Sequence, residues 1–292
     1  MSQVQVRKAV IPVAGLGTRF LPVTRSIPKE MIPVVDTPVI HHIVEEAVRA
    51  GITDIVLVTA RHKEAIENYF DHNYELEERL EKKSQKELAQ LSRSIAQMCN
   101  LTAIRQKSPA GLGDAILCAE SMIGQEPFAI LLGDDLIDST VPCIGQLMRV
   151  YAKEQASVVG VMEVPPKDVS KYGIVGGRAL SAELMEVEKL LEKPSEKDAP
   201  SLLAIPGRYV LNPSIFNCLR QVKPGKQGEL QLTDGLQLLA QQERLLSFRF
   251  EGTRYDAGDR LGWLDANLAF ALKRPELAPG VKALLKKYSE AI

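Results

Sequence analysis

The sequence predicts an α/β domain, and three observations carry that expectation. Apolar runs rich in Val and Ile alternate with helical patterns through the first half of the chain. These runs are apolar throughout rather than at every second position, as in strands of a sheet covered by helices on both faces. A loop with two glycines, AGLGTRF, follows the first run, where open sheets of this kind bind ligands. Together they imply a Rossmann-like, mixed and mostly parallel sheet flanked by helices, with a small β subregion and C-terminal helices.

Taken in order, AVIPV (9–13) is the first strand, and a helix over Val39 to Ala50 is closed by Gly51. DIVLVTA (54–60) is a second strand, followed by a helix beginning near Lys63. NYELEERLEKKSQKELAQLSRSIAQM (73–98) breaks the rhythm: it is highly charged, lacks Gly and Pro, and reads as one long inserted helix. Its plain reading is a solvated helix, its sharper one a subunit contact or a lid. LTAIR (101–105) and FAILLGDD (128–135) are further buried strands, with a helix from Gly111 to Ser121 between them. Beyond residue 156 the strands shorten, in SVVGVMEV, YGIVGG, LMEVEKLLEKP and LLAIPGRYVL. Helical patterns return at PSIFNCLRQ, at ELQLTDGLQLLAQQ and from Asp259 to the C-terminus. No repeat or Ser/Gly linker divides the chain, so residues 1–260 form one elaborated domain and 261–292 a helical tail, a possible oligomer contact.

At 292 residues and 45% hydrophobic content the chain can bury a sizeable core. Lys and Arg (36) balance Asp and Glu (37), so nothing global argues for nucleic acid or a membrane surface as partner. No cleavable signal pattern opens the sequence, and no run reaches the roughly 18 apolar residues of a membrane span. The four cysteines are scattered without metal-ligand spacing, which suits reduced thiols in a bacterial-type cytoplasm. None of the histidines has a ligand partner at i, i+4, and no Ser/His/Asp or Cys/His nucleophile arrangement is present.

The glycine loop excludes two familiar chemistries. A dinucleotide fingerprint needs a third glycine and an immediate helix, but Phe20 holds that position and Pro22, Pro28 and Pro33 follow. Proline inside a helix costs about 3 kcal/mol, so an extended loop is expected over 18–33. The P-loop pattern is absent as well. What remains is a loop carrying Gly15, Gly17, Thr18, Arg19 and Lys29. Glycines let a ligand approach backbone N–H groups, while the Arg fork and the compact Lys charge suit triphosphate oxygens. A rigid surface loop with incidental basic residues is the plainer alternative.

AGLGTRFLPVTRSIPKEMIPV closely resembles the G-x-G-T-R…P-K signature of the sugar-phosphate nucleotidyltransferases. VIPVAGLGTRFLP, IPKEMIPVVDTPVIHHIVEEA, NYFDHNYELE, GLGDAILCA, AIPGRYVL and ELQLTD are similar to the bacterial uridylyltransferases of that family, in order from about residue 7 to 270. The FDHNYELE element and the GRYVL segment separate this likeness from the thymidylyl relatives. The resemblance implies transfer of a uridylyl group from UTP to glucose 1-phosphate with Mg²⁺ as cofactor. It also implies small-molecule partners and a homodimer or homotetramer.

Residue by residue, the resemblance implies Arg19, Lys29 and Asp134 as catalytic groups, and Asp134 with Asp256 as metal ligands. Asp134 belongs to GDDLID, at the carboxyl end of a strand, and Asp256 to RYDAGD, before a glycine turn; hard carboxylate oxygen suits Mg²⁺. Taken alone, either acid is equally a cap or turn residue. Ala14, Gly15, Gly17, Gln106 and Gly111 are implied to hold the nucleotide, with Glu30 a further contact. Gly173, Glu192 and Lys193 are implied to hold the sugar phosphate in the half from 156 to 260. Neighbours on a strand face opposite ways, so Glu192 and Lys193 share a ligand only if the strand end twists or bulges. The chain departs from the pattern at Asp114, where relatives carry a non-acidic residue; an early-turn acid favoured by the helix dipole is the expectation. The residues leave open dTTP or CTP in place of UTP, another hexose 1-phosphate, and a silent nucleotide-sugar-binding homologue.

Overall fold

A computed structural model describes residues 5–225 and 228–290. The first half contains β1 (Lys8–Pro12), β2 (Pro33–Val34), β3 (Thr37–Pro38), α1 (Val39–Arg49), β4 (Asp54–Thr59) and α2 (Glu64–Tyr69). Next come α3 (Tyr74–Lys82), α4 (Lys86–Ala96), β5 (Asn100–Arg105), α5 (Leu112–Cys118), α6 (Glu120–Ile123), β6 (Phe128–Leu131), β7 (Asp135–Asp138) and α7 (Cys143–Glu154). The second half adds β8 (Ser157–Glu163), β9 (Gly173–Ala179), β10 (Leu184–Glu192), β11 (Leu203–Ile205), β12 (Arg208–Leu211) and α8 (Ser214–Gln221). It closes with α9 (Leu232–Gln242), β13 (Leu245–Arg249), β14 (Thr253–Asp256), α10 (Arg260–Lys273) and α11 (Ala278–Ser289).

Ten strands form one sheet in the order β11-β9-β10-β13-β8-β12-β6-β1-β4-β5. β6, β1, β4 and β5 pair parallel, as their alternation with helices demands. From β12 outward the pairing is antiparallel except for β8 with β13, so the sheet is mixed and its parallel character belongs to the first half. The shorter turns beyond residue 156 account for this, because close connections return a chain antiparallel whereas parallel neighbours need a crossover.

Both faces of the sheet are buried. Ala9, Ile11, Ile55 and Leu57 face one core with Ile40 and Ile43 of α1 and Ile144 and Leu147 of α7. Val10, Val56, Val58 and Ile130 face the other with Ile116, Phe216 and Leu236 of α5, α8 and α9. Alternate residues of one strand thus enter different cores, which is why these strands read apolar at every position.

Three expectations change. The loop after β1 is not extended; it makes three short 3₁₀ turns, Thr18–Phe20, Val23–Arg25 and Lys29–Met31. The prolines forbid a continuous helix but permit isolated turns. The segment 73–98 is two helices rather than one, broken at Ser84, whose φ is +61°. The tail is docked on the domain: Asn267 Oδ1 accepts the Val35 N–H at 2.8 Å, Trp263 Nε1 donates to Pro33 O at 2.9 Å, and Ala266 is fully buried. The C-terminal helices are two, α10 and α11, and residues 291 and 292 lie outside the described residues. Among the described residues no helix is long and apolar enough to cross a membrane.

Candidate active site

From β1 the chain moves to β4 on one side, and it later returns to β6 on the other. Such a reversal of strand order opens a crevice at the carboxyl ends of the strands. Here it measures about 960 Å³ and is walled by the segments that follow β1, β5, β6 and β10. Its lining includes Ala14, Gly15, Gly17, Arg19, Lys29, Glu30, Gln106, Gly111, Asp134, Gly173, Glu192, Lys193 and Asp256. Residues scattered over most of the sequence are therefore gathered around one space.

The cations come from the glycine loop. Lys29 forms an ion pair with Asp134. Burial alone would lower the Lys29 pKa, but the charges of Asp134 and Glu30 outweigh it and raise the pKa above its usual value. Arg19 lies beside the turn after β14, its Nη1 donating to Gly258 O at 3.4 Å, while Arg260 Nε donates to Arg19 O at 2.8 Å. Glu30 lines the crevice too, but little of it is open. It is 1% exposed, and its Oε2 accepts from Lys63 Nζ at 2.6 Å, so it supports the loop from beneath. The reason is the tight 3₁₀ turn over Lys29–Met31, which sends successive side chains in different directions.

Three acids meet opposite these cations. β7 and β14 pair antiparallel and set Asp135 directly across from Asp256. Arg254 separates them: its Nε donates to Asp135 Oδ1 at 2.5 Å, and its Nη2 lies 3.1 Å from Asp256 Oδ2. Burial, with the charges of Asp134 and Asp256, pushes the Asp135 carboxyl up to about 7 although Arg254 opposes it. For Asp134 burial pushes upward too, but Lys29 prevails and holds the carboxyl below its usual range.

Fully buried Arg208 anchors the same turn from below, donating to Asp135 O at 2.6 Å while binding both carboxylate oxygens of Glu46.

The fit of a metal can be tested at Gly258. A Cβ there would lie 2.6 Å from Asp134 Oδ2 and 3.2 Å from Asp256 Oδ1, so the two carboxylates converge on one spot that only glycine leaves open. No group of three or more His, Cys, Asp or Glu is arranged to hold a metal among the described residues. The donor set is thus two hard carboxylates, which suits Mg²⁺ completed by substrate phosphates and water rather than a closed protein cage.

At one end of the crevice, Gly111 has φ +99° and a Cβ on it would fall 2.6 Å from Leu230 O, so glycine is required. Gln106 Nε2 donates to Gly111 O at 3.1 Å and to Asp114 Oδ2 at 2.7 Å. Asp114 is in the first turn of α5, as expected, and faces this amide. At the other end β9 and β10 set Gly173 across from Glu192, whose Oε2 accepts from Thr233 Oγ1 at 2.7 Å. Lys193 has φ +45°, so the strand ends there and Glu192 and Lys193 both reach the crevice.

Sequence reasoning passed over Arg254, Tyr172, Thr233 and Lys63. Arg254 carried a legible signal, since R-x-D on a strand puts Arg254 and Asp256 on one face. Tyr172, whose OH accepts from Arg254 Nη1 at 2.7 Å, had none beyond its place next to Gly173.

The model of the family described as "Nucleotidyl transferase" matches residues 8–271. The UTP–glucose-1-phosphate uridylyltransferase YngB of Bacillus subtilis is 50% identical over 282 residues, 97% of this chain and 95% of that protein. A solved UDP-glucose pyrophosphorylase in complex with UDP-glucose is 42% identical with a TM-score of 0.85, covering 92% of this chain and all of the other. A UTP-bound enzyme of the same kind from Acinetobacter baumannii is 41% identical with a TM-score of 0.88, covering 96% of this chain and 99% of that one. With that family model matched over residues 8–271 and a relative 50% identical along 97% of its length, this chain belongs to the nucleotidyl transferase family.

Proposed function

We propose that this chain transfers the uridylyl group of UTP to glucose 1-phosphate, forming UDP-glucose and releasing pyrophosphate. The observation that carries the reading is the convergence of Arg19, Lys29, Lys193 and the Asp134–Asp256 pair on one crevice. The likeness to a UTP-bound and a UDP-glucose-bound enzyme supports it. A phosphate oxygen of glucose 1-phosphate attacks the α-phosphorus of UTP in line. The bond from that phosphorus to the bridging oxygen breaks, and pyrophosphate departs with the electron pair. The attacking oxygen is already anionic at neutral pH, so no general base is needed.

Two polyanions must meet, so charge neutralisation and alignment do the catalytic work. Arg19 faces the departing pyrophosphate and Lys29 the α-phosphate. Lys193 positions the attacking phosphate, and Glu192 with Gly173 the glucose ring. Ala14, Gly15, Gly17, Gln106 and Gly111 hold the nucleotide. Asp134 and Asp256 would hold Mg²⁺, which when bound draws charge from the phosphoryl oxygens. The four free cysteines fit a reducing cytoplasm.

Pyrophosphate release from UTP plus glucose 1-phosphate, with and without Mg²⁺, tests the reaction. Lys193→Ala is expected to raise KM for glucose 1-phosphate well above any change for UTP; equal effects on both would reject its role. Arg19→Ala or Asp134→Ala should lower turnover by about 10²- to 10³-fold, and near-normal turnover in either would overturn the mechanism.

A further inference from the structure

Gln106 is 8% exposed and lies on the crevice wall with its amide held in one orientation. An amide nitrogen carries two protons, and both of these meet groups that only accept: the Gly111 carbonyl at 3.1 Å and the Asp114 carboxylate at 2.7 Å. Reversing the amide would set its oxygen against two other oxygens. Among the described residues nothing donates to Gln106 Oε1, so this carbonyl is what the side chain offers a ligand.

Gly111 complements it. Its carbonyl is occupied by Gln106 and by the Ala115 N–H, while its own N–H donates to no group among the described residues. Gln106 and Gly111 therefore present an acceptor beside a donor. Uracil and thymine show the matching edge, an N3–H next to a carbonyl. Cytosine has a bare N3 lone pair, which would face the Gln106 oxygen. It could satisfy the pair only by sliding its ring along the wall, which would draw its triphosphate out of register with Lys29 and Arg19.

We infer that Asp114 is a positioning residue that selects the nucleobase: by pinning the Gln106 amide it admits pyrimidines with an N3–H and rejects cytosine. This rests on the proposed reading of Gln106 and Gly111 as the base site. Asp114 itself need not touch the nucleotide, because its carboxylate is directed to the amide nitrogen.

The experiment compares kcat/KM for UTP and CTP in the wild-type enzyme, Asp114→Asn, Asp114→Ala and Gln106→Leu, with glucose 1-phosphate as co-substrate. In Asp114→Asn the new amide can donate to Gln106 Oε1 and let the side chain turn over. The UTP-over-CTP preference should then fall at least tenfold, with KM for glucose 1-phosphate within twofold of wild type. A smaller fall of the same sign is expected for Asp114→Ala, which removes one acceptor and leaves Gly111 O. A preference unchanged within twofold in both Asp114 variants, while Gln106→Leu abolishes it, would overturn the role of Asp114 alone. A preference that Gln106→Leu also leaves intact would sink the base-site reading beneath it. A general loss of fold would lower UTP and CTP use together, and an unaltered preference under such a loss counts against the inference.

Discussion

Lys29 turns into the crevice to meet Asp134, whereas Glu30, one residue on, turns inward to Lys63. The second pair is buried, with Glu30 at 1% and Lys63 at 6% exposure, and Glu30 Oε1 has no partner among the described residues. Burial pushes the Glu30 carboxyl up against the pull of Lys63 and Lys29. Breaking such a pair from one side leaves a buried charge uncompensated, at a cost of about 3–5 kcal/mol, whereas removing both charges is close to neutral. Glu30→Leu alone should therefore destabilise the fold strongly, and Glu30→Leu with Lys63→Met should recover most of that loss in urea melts. Equal stability of the single and double variants would show that the pair is solvated in solution. Glu30 was legible as part of an IPKE string, but its direction was not, because its partner belongs to a different loop and only the folded turn decides which neighbour points where.

At the scale of elements, strand positions were legible because burial on both faces leaves an unmistakable apolar run. FAILLGDD is the instructive exception. It reads as one strand but forms β6 and β7 in different sheets, since the turn at Gly133–Asp134 redirects the acids toward β14. The break in segment 73–98 left no Gly or Pro to betray it. Ser84 takes the left-handed conformation that glycine usually supplies, with Ser84 N–H donating to Glu81 O and Gln85 N–H to Leu80 O, both at 2.9 Å. Those two bonds form a Schellman ending, so α3 stops for backbone reasons that composition hides. A non-glycine residue there costs about 1–2 kcal/mol, and glycine gives back about half through its freer unfolded chain. Ser84→Gly should thus stabilise the protein by about 0.5–1 kcal/mol, read as a rise in the midpoint of thermal unfolding. A drop would mean that the hairpin bends differently in solution.

Across the whole molecule, the site's chemistry was legible as residue types while its assembly was not. Asp135, Arg254 and Asp256 meet only through the pairing of β7 with β14, and local patterning does not encode so distant a contact. The same holds for α10, read as an appendage because it follows the last strand, yet joined to the domain through Trp263, Asn267 and the Asp36–Arg274 ion pair. Beneath that helix lies His42, its ring 5.1 Å from that of Phe270 and its Nε2 buried without a partner among the described residues. Burial, with His41 and Arg274 nearby, lowers its pKa to about 4, with Asp36 opposing. In the unfolded chain the imidazole titrates near about 6.5. As pH falls below that value the unfolded state takes up a proton that the folded state refuses, so stability declines down to pH 4 and His42 adds nothing further below it. The full loss is about 3 kcal/mol. Asp36, held at about 2, contributes stability lost only as pH falls from its ordinary 3.8 toward 2, so the two windows are separate. His42→Phe should flatten the plot of unfolding free energy against pH between 6.5 and 4, while leaving the Asp36 contribution below pH 3.8 in place. An unchanged slope in that variant would mean that α10 lifts from the domain before the imidazole is charged.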